Sequence, residues 1–94
     1  MSTFIMFGKY SADALKGISA TRTEKAKELI EKSGGKILSM YALLGKIDLM
    51  LIVNLPGIEE AAKVSVALAK STGIAFSTSA AMEVSQFDKI MEGL

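Results

Sequence analysis

The chain has 94 residues, of which 50% are hydrophobic, and its 11 basic and 10 acidic side chains give a formal net charge of +1. A chain of this length predicts one domain, covering residues 1–94. Histidine and cysteine are both absent, which excludes disulfides, Ser-His-Asp triads, thiolate nucleophiles and the commonest metal ligands. Basic and acidic residues are mixed along the chain, so the charge pattern does not indicate nucleic-acid binding.

The apolar content is high for so short a chain. A domain of this size buries only about 60–65% of its unfolded-chain surface, so we expect surplus apolar surface at a subunit interface. The protein is therefore predicted to be a homodimer or a higher homo-oligomer. Met1–Phe7 lacks the features of a signal peptide, and the apolar run Leu49–Val53 is too short to cross a bilayer. We expect a cytoplasmic protein without membrane contact.

The first predicted strand covers Thr3–Tyr10, which is rich in β-forming residues. Strand alternation places Phe7 on one face of the sheet and Met6 on the other, so both faces are apolar. Gly8 lies within this strand. Such a glycine either packs beneath a helix or allows close approach of another chain or a ligand.

A polar connection over residues 11–20, with a helical turn predicted at Asp13–Lys16, leads to the first main helix. Thr21-Arg22-Thr23-Glu24 fits a capping box and predicts the start of this helix. Apolar residues then recur at helical spacing from Ala26 to Ile30. Gly34-Gly35 predicts a left-handed cap at the end of the helix.

Two further strands are predicted to form an antiparallel hairpin. They cover Lys36–Leu44, where apolar residues alternate, and Asp48–Leu55, with Gly45-Lys46 as a tight reversal between them. The second strand of this pair is apolar on both faces, which predicts an interior position in the sheet. Pro56-Gly57 ends it, because proline cannot donate a hydrogen bond to a ladder.

The last third of the chain predicts a helix, a strand and a short tail helix. The helix covers Ile58–Ser71 and carries acidic residues in its first turn. Its predicted buried stripe consists of Ala61, Val64 and Leu68. The strand covers Ile74–Val84, and its serines and threonine favour an edge position. The tail helix covers residues 85–93 and is predicted to be capped by Ser85.

The order of elements predicts an α+β, ferredoxin-like fold. A βαββαβ chain with right-handed crossovers places both helices on one face of an antiparallel four-stranded sheet. The opposite face is also apolar and needs a cover, for which the same face of a second subunit is the simplest candidate. We therefore expect a dimeric α/β barrel, with a pocket between each sheet and its helices or partner.

Four polar residues near the predicted sheet are candidate ligand-binding residues: Lys9, Tyr10, Tyr41 and Asp48. The two tyrosines either point their phenols into a pocket or pack with their hydroxyls at a rim. Asp48 is either a desolvated general base or a turn aspartate bonded to local backbone N–H groups. Lys9 either pairs with a substrate anion or reaches solvent. Arg22, the one arginine, is predicted to face solvent or an interface. No catalytic residue, metal ligand or cofactor motif is assigned.

Several short pieces of the chain are similar to the motifs of one family. They are Phe7-Gly8-Lys9-Tyr10, Gly34-Gly35-Lys36, Leu44-Gly45-Lys46-Ile47-Asp48 and Pro56. Together they resemble the GYD domain family, which is named for a Gly-x-Tyr-Asp turn, over nearly the whole chain. Ile47 stands where that family usually has tyrosine. The resemblance implies a ferredoxin-like, oligomeric fold, and it implies no settled activity or catalytic residue.

Three functions follow as hypotheses. The leading one is an oligomeric protein that binds a small apolar or aromatic molecule in a barrel pocket, without metal or cofactor. The second is a structural or regulatory assembly module that binds no ligand. The third is a cofactor-independent isomerase or monooxygenase, by analogy of fold alone. This third hypothesis depends on Asp48, Tyr10 or Tyr41.

Overall fold

The structure, a computed structural model, describes all 94 residues. Its strands are β1 (Ser2–Tyr10), β2 (Lys36–Ala42), β3 (Leu49–Leu55) and β4 (Ile74–Ala81), and its helices are α1 (Ala12–Lys16), α2 (Ala20–Lys32), α3 (Ile58–Thr72) and α4 (Val84–Met91). The βαββαβ order and the short helical turn before α2 are as predicted. None of the helices combines the length and the apolarity needed to span a bilayer.

The four strands form one antiparallel sheet in the order β2-β3-β1-β4. This strand order confirms the interior position predicted for β3 and the edge position predicted for β4. Side chains of α2 and α3 join those of β1 and β3 in a single core, so both helices lie on the same face of the sheet. The fold is therefore α+β and ferredoxin-like, as the sequence predicts.

The hydrophobic core lies between this covered face and the two long helices. Its fully buried members are Phe4 and Met6 of β1, Leu51, Val53 and Leu55 of β3, Ile30 of α2, and Ala61, Val64 and Leu68 of α3. The stripe predicted for α3 is confirmed. Since β1 and β3 supply more than half of these residues, the interior strands are the base on which the helices pack.

The start of α2 differs from its prediction, and the end of α2 agrees with it. The prediction that a capping box at Thr21–Glu24 starts the helix is wrong, because the helix begins earlier, with Ser19 at the N-cap. The Ser19 hydroxyl accepts a hydrogen bond from the backbone N–H of Arg22 at 3.1 Å, which satisfies one of the free donors of the first turn. At the other end, Gly34 adopts a φ of +87°. The predicted left-handed cap is confirmed.

The predicted hairpin of β2 and β3 is confirmed, but its reversal is longer than the Gly45-Lys46 turn. The backbone N–H of Leu43 donates to the carbonyl of Asp48 at 2.8 Å, and residues 44–47 form the connection. Asp48 lies just before β3, and its own N–H donates to the carbonyl of Gly8 in β1. The predicted strands are therefore too long, by two residues in β2 and one in β3.

A β-bulge interrupts the regular alternation predicted for β2. The register with β3 shifts between Ile37 and Ser39, which leaves Leu38 as the extra residue. As a result Ile37 and Met40, three positions apart, both pack against the core. Strict alternation would have placed these two side chains on opposite faces.

The C-terminal part of the chain departs from its predicted bounds. β4 ends at Ala81, and α4 begins at Val84 with Glu83, not Ser85, in the N-cap position. None of the residues of α4 is buried. The radius of gyration is 14.4 Å and the longest dimension is 51 Å, whereas a compact chain of this length would have a radius of about 12 Å. The molecule is therefore elongated, with a helix that lacks a packing partner.

Gly35 and Gly45 provide a matched test of the backbone packing. A Cβ on Gly35 would lie 2.1 Å from the carbonyl oxygen of Asn54, so Gly35→Ala must displace backbone. We expect it to lower the free energy of unfolding by about 2 to 3 kcal/mol. A Cβ on Gly45 would meet no atom within 4 Å. Gly45→Ala should therefore change stability by less than about 1 kcal/mol. Urea denaturation of both variants measures the difference, and equal losses would contradict it.

Candidate functional site

A cavity of about 50 Å³ lies between the sheet and the helices, near the end of β1. Eleven residues line it, and eight of them are hydrophobic. The strands contribute Tyr10, Met40, Leu49 and Phe76 among others, and α2 contributes Arg22 and Ala26. The sheet floor and the helix wall together make a largely apolar space with a few polar groups.

Gly8 lies beneath the side chains that form the floor of this cavity. A Cβ on Gly8 would lie 2.9 Å from the side chains of both Ile74 and Phe76, and 3.3 Å from Leu49. All three residues line the cavity. Gly8 is thus a packing glycine, although the side chains above it come from neighbouring strands and not from a helix. A larger residue at this position would push the floor into the cavity.

Tyr10 and Arg22 form the polar part of the cavity wall. The guanidinium carbon of Arg22 lies 5.4 Å from the centre of the Tyr10 ring, within the range of a cation–π contact. Its Nη1 also donates a hydrogen bond to the backbone carbonyl of Ala14 in α1. Arg22 is half-buried. α1 and the end of β1 hold the side chain at the cavity and not in open solvent, and the interface alternative stays a prediction.

Asp48 joins the ends of two strands. Its Oδ2 accepts a hydrogen bond from the backbone N–H of Tyr10 at 2.8 Å and lies 3.7 Å from Nζ of Lys9. Its own N–H donates to the carbonyl of Gly8 at 2.9 Å. The prediction that Asp48 bonds to backbone N–H groups of its own turn is therefore wrong. Its carboxylate accepts from a backbone N–H of β1, 38 positions away in the sequence. Asp48 is not among the residues that line the cavity.

Tyr41 lies on the open face of the sheet, away from α2 and α3. It pairs with Met50, which pairs in turn with Phe7, and it is 53% exposed. The four candidate residues are therefore not gathered into one site. Tyr10 lines the cavity, Lys9 and Asp48 meet at the strand ends, and Tyr41 belongs to the other face.

The open face has an apolar centre with polar residues around it. Ile5 faces Ile52 and Phe7 faces Met50 in the register of β1 and β3. All four are half-buried. The row of Ile5 and Ile52 ends in Ser39 and Ser79, the row of Phe7 and Met50 ends in Tyr41 and Ser77, and the next row contains Thr3 and Asn54. This arrangement is a continuous apolar surface that the chain's own long helices do not cover.

The chemistry available at the cavity is limited by its lining. Among the lining residues, Tyr10 carries the one phenol and Arg22 the one charged group. No group of three acidic side chains lies close enough together to hold a metal ion. The cavity therefore offers apolar contact, a phenol and a guanidinium, which are groups suited to binding and orienting a molecule.

These features define a small ferredoxin-like α+β protein with an apolar cavity on one side of its sheet and an open apolar face on the other. The family model described as GYD domain matches residues 4–91, and the chain belongs to the GYD domain family. No curated protein matches the chain in sequence. Ile47, at the position where the family usually has tyrosine, is half-buried.

The role of Asp48 in holding β1 can be tested against its ion pair. Asp48→Ala removes the acceptor for the Tyr10 N–H, and we expect a loss of about 1 to 3 kcal/mol in the free energy of unfolding. Asp48→Asn keeps an oxygen acceptor and should recover most of this loss. Lys9→Ala should cost less than about 1 kcal/mol, because exposed ion pairs contribute little and the Lys9 side chain is 59% exposed.

Chemical denaturation of the three variants measures these differences. A loss in Lys9→Ala as large as that in Asp48→Ala would show that the ion pair, and not the backbone hydrogen bond, is the main contribution of Asp48.

Proposed function

We propose that the protein is a cytoplasmic homo-oligomer that binds a small apolar or aromatic molecule in the cavity beside Tyr10. The observation that carries this proposal is a sheet that is apolar on both faces, of which α2 and α3 cover one. An apolar face bordered by polar residues is a common mark of a protein–protein interface. A second copy, joined face to face, would cover the open side and form a barrel of two sheets.

The composition of the open face supports assembly. Specific interfaces combine an apolar centre with a polar rim, and the face has this arrangement, with Phe7 and Ile52 in the middle rows and Ser77 and Ser79 at the β4 edge. Tyr41, at the β2 edge, is an aromatic residue of the kind enriched at interfaces. In this proposal Tyr41 contacts the partner subunit.

The open face is not the only exposed apolar surface of the chain. A stable interface buries about 800 Å² of accessible surface on each partner, and α4 offers apolar surface in addition to the sheet. The exposed apolar side chains of α4 would extend the contact, and they are Val84, Phe87, Ile90 and Met91.

Assembly through the open face can be tested with a charge at its centre. Ile52→Glu places a carboxylate among apolar residues, and we expect it to convert the oligomer to monomers, since a buried unpaired charge opposes association. Val66→Glu is the matched control, because Val66 is an exposed residue of α3 on the other side of the molecule. It should leave the oligomer intact.

Sedimentation velocity measures the mass of both variants, and circular dichroism checks that both remain folded. A wild-type protein that sediments with the mass of one chain would contradict the proposed assembly. An Ile52→Glu variant that remains oligomeric would contradict the proposed interface.

The space available for a ligand supports a small molecule that reaches between the helices. The cavity alone holds about 50 Å³, which lies between the volumes of one and two water molecules at about 30 Å³ each. An adjoining groove of about 330 Å³ lies between α2 and α3 and shares Arg22, Ala26, Leu68 and Thr72 with the cavity. Together the two spaces reach the lower end of the range of ligand pockets, about 300 to 1,000 Å³.

Ala26 lines both spaces, so it offers a way to block the ligand. Ala26→Leu should fill the cavity and abolish the thermal stabilisation that small aromatic compounds give to the wild type, since a ligand that binds the folded state raises its melting temperature. Ala20→Leu is the control, because Ala20 is exposed near the start of α2. Equal stabilisation of both variants by the same compound would contradict binding at this cavity.

The cavity without the adjoining groove holds only about 50 Å³, well below the volume of an ordinary ligand pocket. This small volume favours the second candidate, an assembly module without a ligand. In that case no apolar or aromatic compound would stabilise the oligomeric wild type in the same thermal-shift screen. The isomerase or monooxygenase alternative gains no such support. The Asp48 carboxylate accepts a hydrogen bond from the backbone N–H of Tyr10, forms an ion pair with Lys9 and lies outside the cavity lining.

A further inference from the structure

We propose that Arg22 selects the ligand of this cavity, and that the ligand is a small apolar or aromatic carboxylate. This inference rests on the proposed ligand-binding function and adds the charge of the molecule bound. It follows from the surroundings of the one guanidinium in the chain, which lies at the junction of the cavity and the groove between α2 and α3.

The charge of Arg22 has no acidic partner. The single ion pair in the structure joins Lys9 to Asp48, so no carboxylate oxygen lies within 4.0 Å of the Arg22 nitrogens. A guanidinium carries five N–H donors. One nitrogen, Nη1, donates to the carbonyl of Ala14, and no other protein acceptor bonds to this side chain. The group therefore keeps most of its donors available at the cavity wall.

The neighbours of Arg22 favour a bound anion. Its guanidinium lies over the ring of Tyr10 at 5.4 Å, and the carbonyl of Ala14 fixes one end of it. Lys25 adds a second positive charge on the adjoining groove, and no acidic residue is present in the first turn of α2. In a half-buried position, where solvent screening is reduced, an anion is attracted more strongly than in water.

The remaining lining defines the other part of the ligand. Met40, Leu49 and Phe76 give apolar surface on the sheet side of the cavity. Leu29 and Ala67 continue this surface in the adjoining groove, whose volume of about 330 Å³ has room for an aromatic group. A guanidinium fork matches the two oxygens of a carboxylate. A single arginine among apolar residues suits one negative charge attached to an apolar body.

Calorimetric titration of the oligomeric protein with phenylacetate and phenylacetamide tests this inference, because the two probes share their shape and differ in charge. We expect phenylacetate to bind at least about tenfold more tightly than the amide, as for a hydrogen bond to a charged group. Acetate is a third probe. It carries the charge without the aromatic group, and it should bind more weakly than phenylacetate.

Arg22→Gln should weaken phenylacetate binding by roughly 10- to 100-fold and leave phenylacetamide binding nearly unchanged. Lys27→Gln is the matched control, since it removes the same charge from an exposed residue of α2 that lines neither space. It should leave the affinities of both probes unchanged. Because Arg22 also holds α1 through Ala14, circular dichroism and sedimentation of each variant accompany the titrations.

The outcomes separate this inference from the function on which it rests. Equal binding of acid and amide to the wild type would overturn the role of Arg22 and leave a binding site for neutral apolar molecules. Equal weakening of both probes in Arg22→Gln would also overturn it. Binding of neither probe to the wild type would overturn the inference and the proposed function together. The comparison of acid with amide on the wild type holds even if Arg22→Gln does not fold.

Discussion

The pairing of β1 with β3 is the contact on which the rest of the structure depends. The register runs from Ser2 opposite Leu55 to Gly8 opposite Leu49, and one face of this pair supplies five of the nine fully buried core residues. The regular pairing of β1 with β3 ends at Gly8. Two residues further along β1, the backbone N–H of Tyr10 donates a hydrogen bond to the Asp48 carboxylate. The position of the Tyr10 ring, and with it one wall of the cavity, therefore follows from this ladder.

Most of the fold could be predicted from the sequence because it depends on patterns that repeat locally. Helical spacing identified the buried stripe of α3, and Gly34-Gly35 marked the end of α2. The bulge at Leu38 could not be predicted, because it depends on the register with the partner strand. The cap at Ser19 was missed because Thr21-Arg22-Thr23-Glu24 offers an equally good local pattern.

The candidate site was less predictable, because its contacts join residues far apart in sequence. The hydrogen bond from Tyr10 to Asp48 spans 38 positions, and no short motif indicates it. Arg22 was assigned to solvent or an interface from its place in the first turn of α2, whereas a carbonyl of α1 and a ring of β1 hold it at the cavity. The one signal that could have directed attention to it is that it is the only arginine in a chain with ten lysines.

The bulge at Leu38 has a consequence for how sheets of this protein can join. β2 forms an outer edge of the sheet, and a long regular edge presents unpaired backbone groups to which a strand from another molecule can add. Repeated addition of that kind produces open-ended fibrils. A bulge bends and twists the edge, and Lys36 places a charge at its start. Growth along the hydrogen-bonding direction is thereby opposed at the β2 edge.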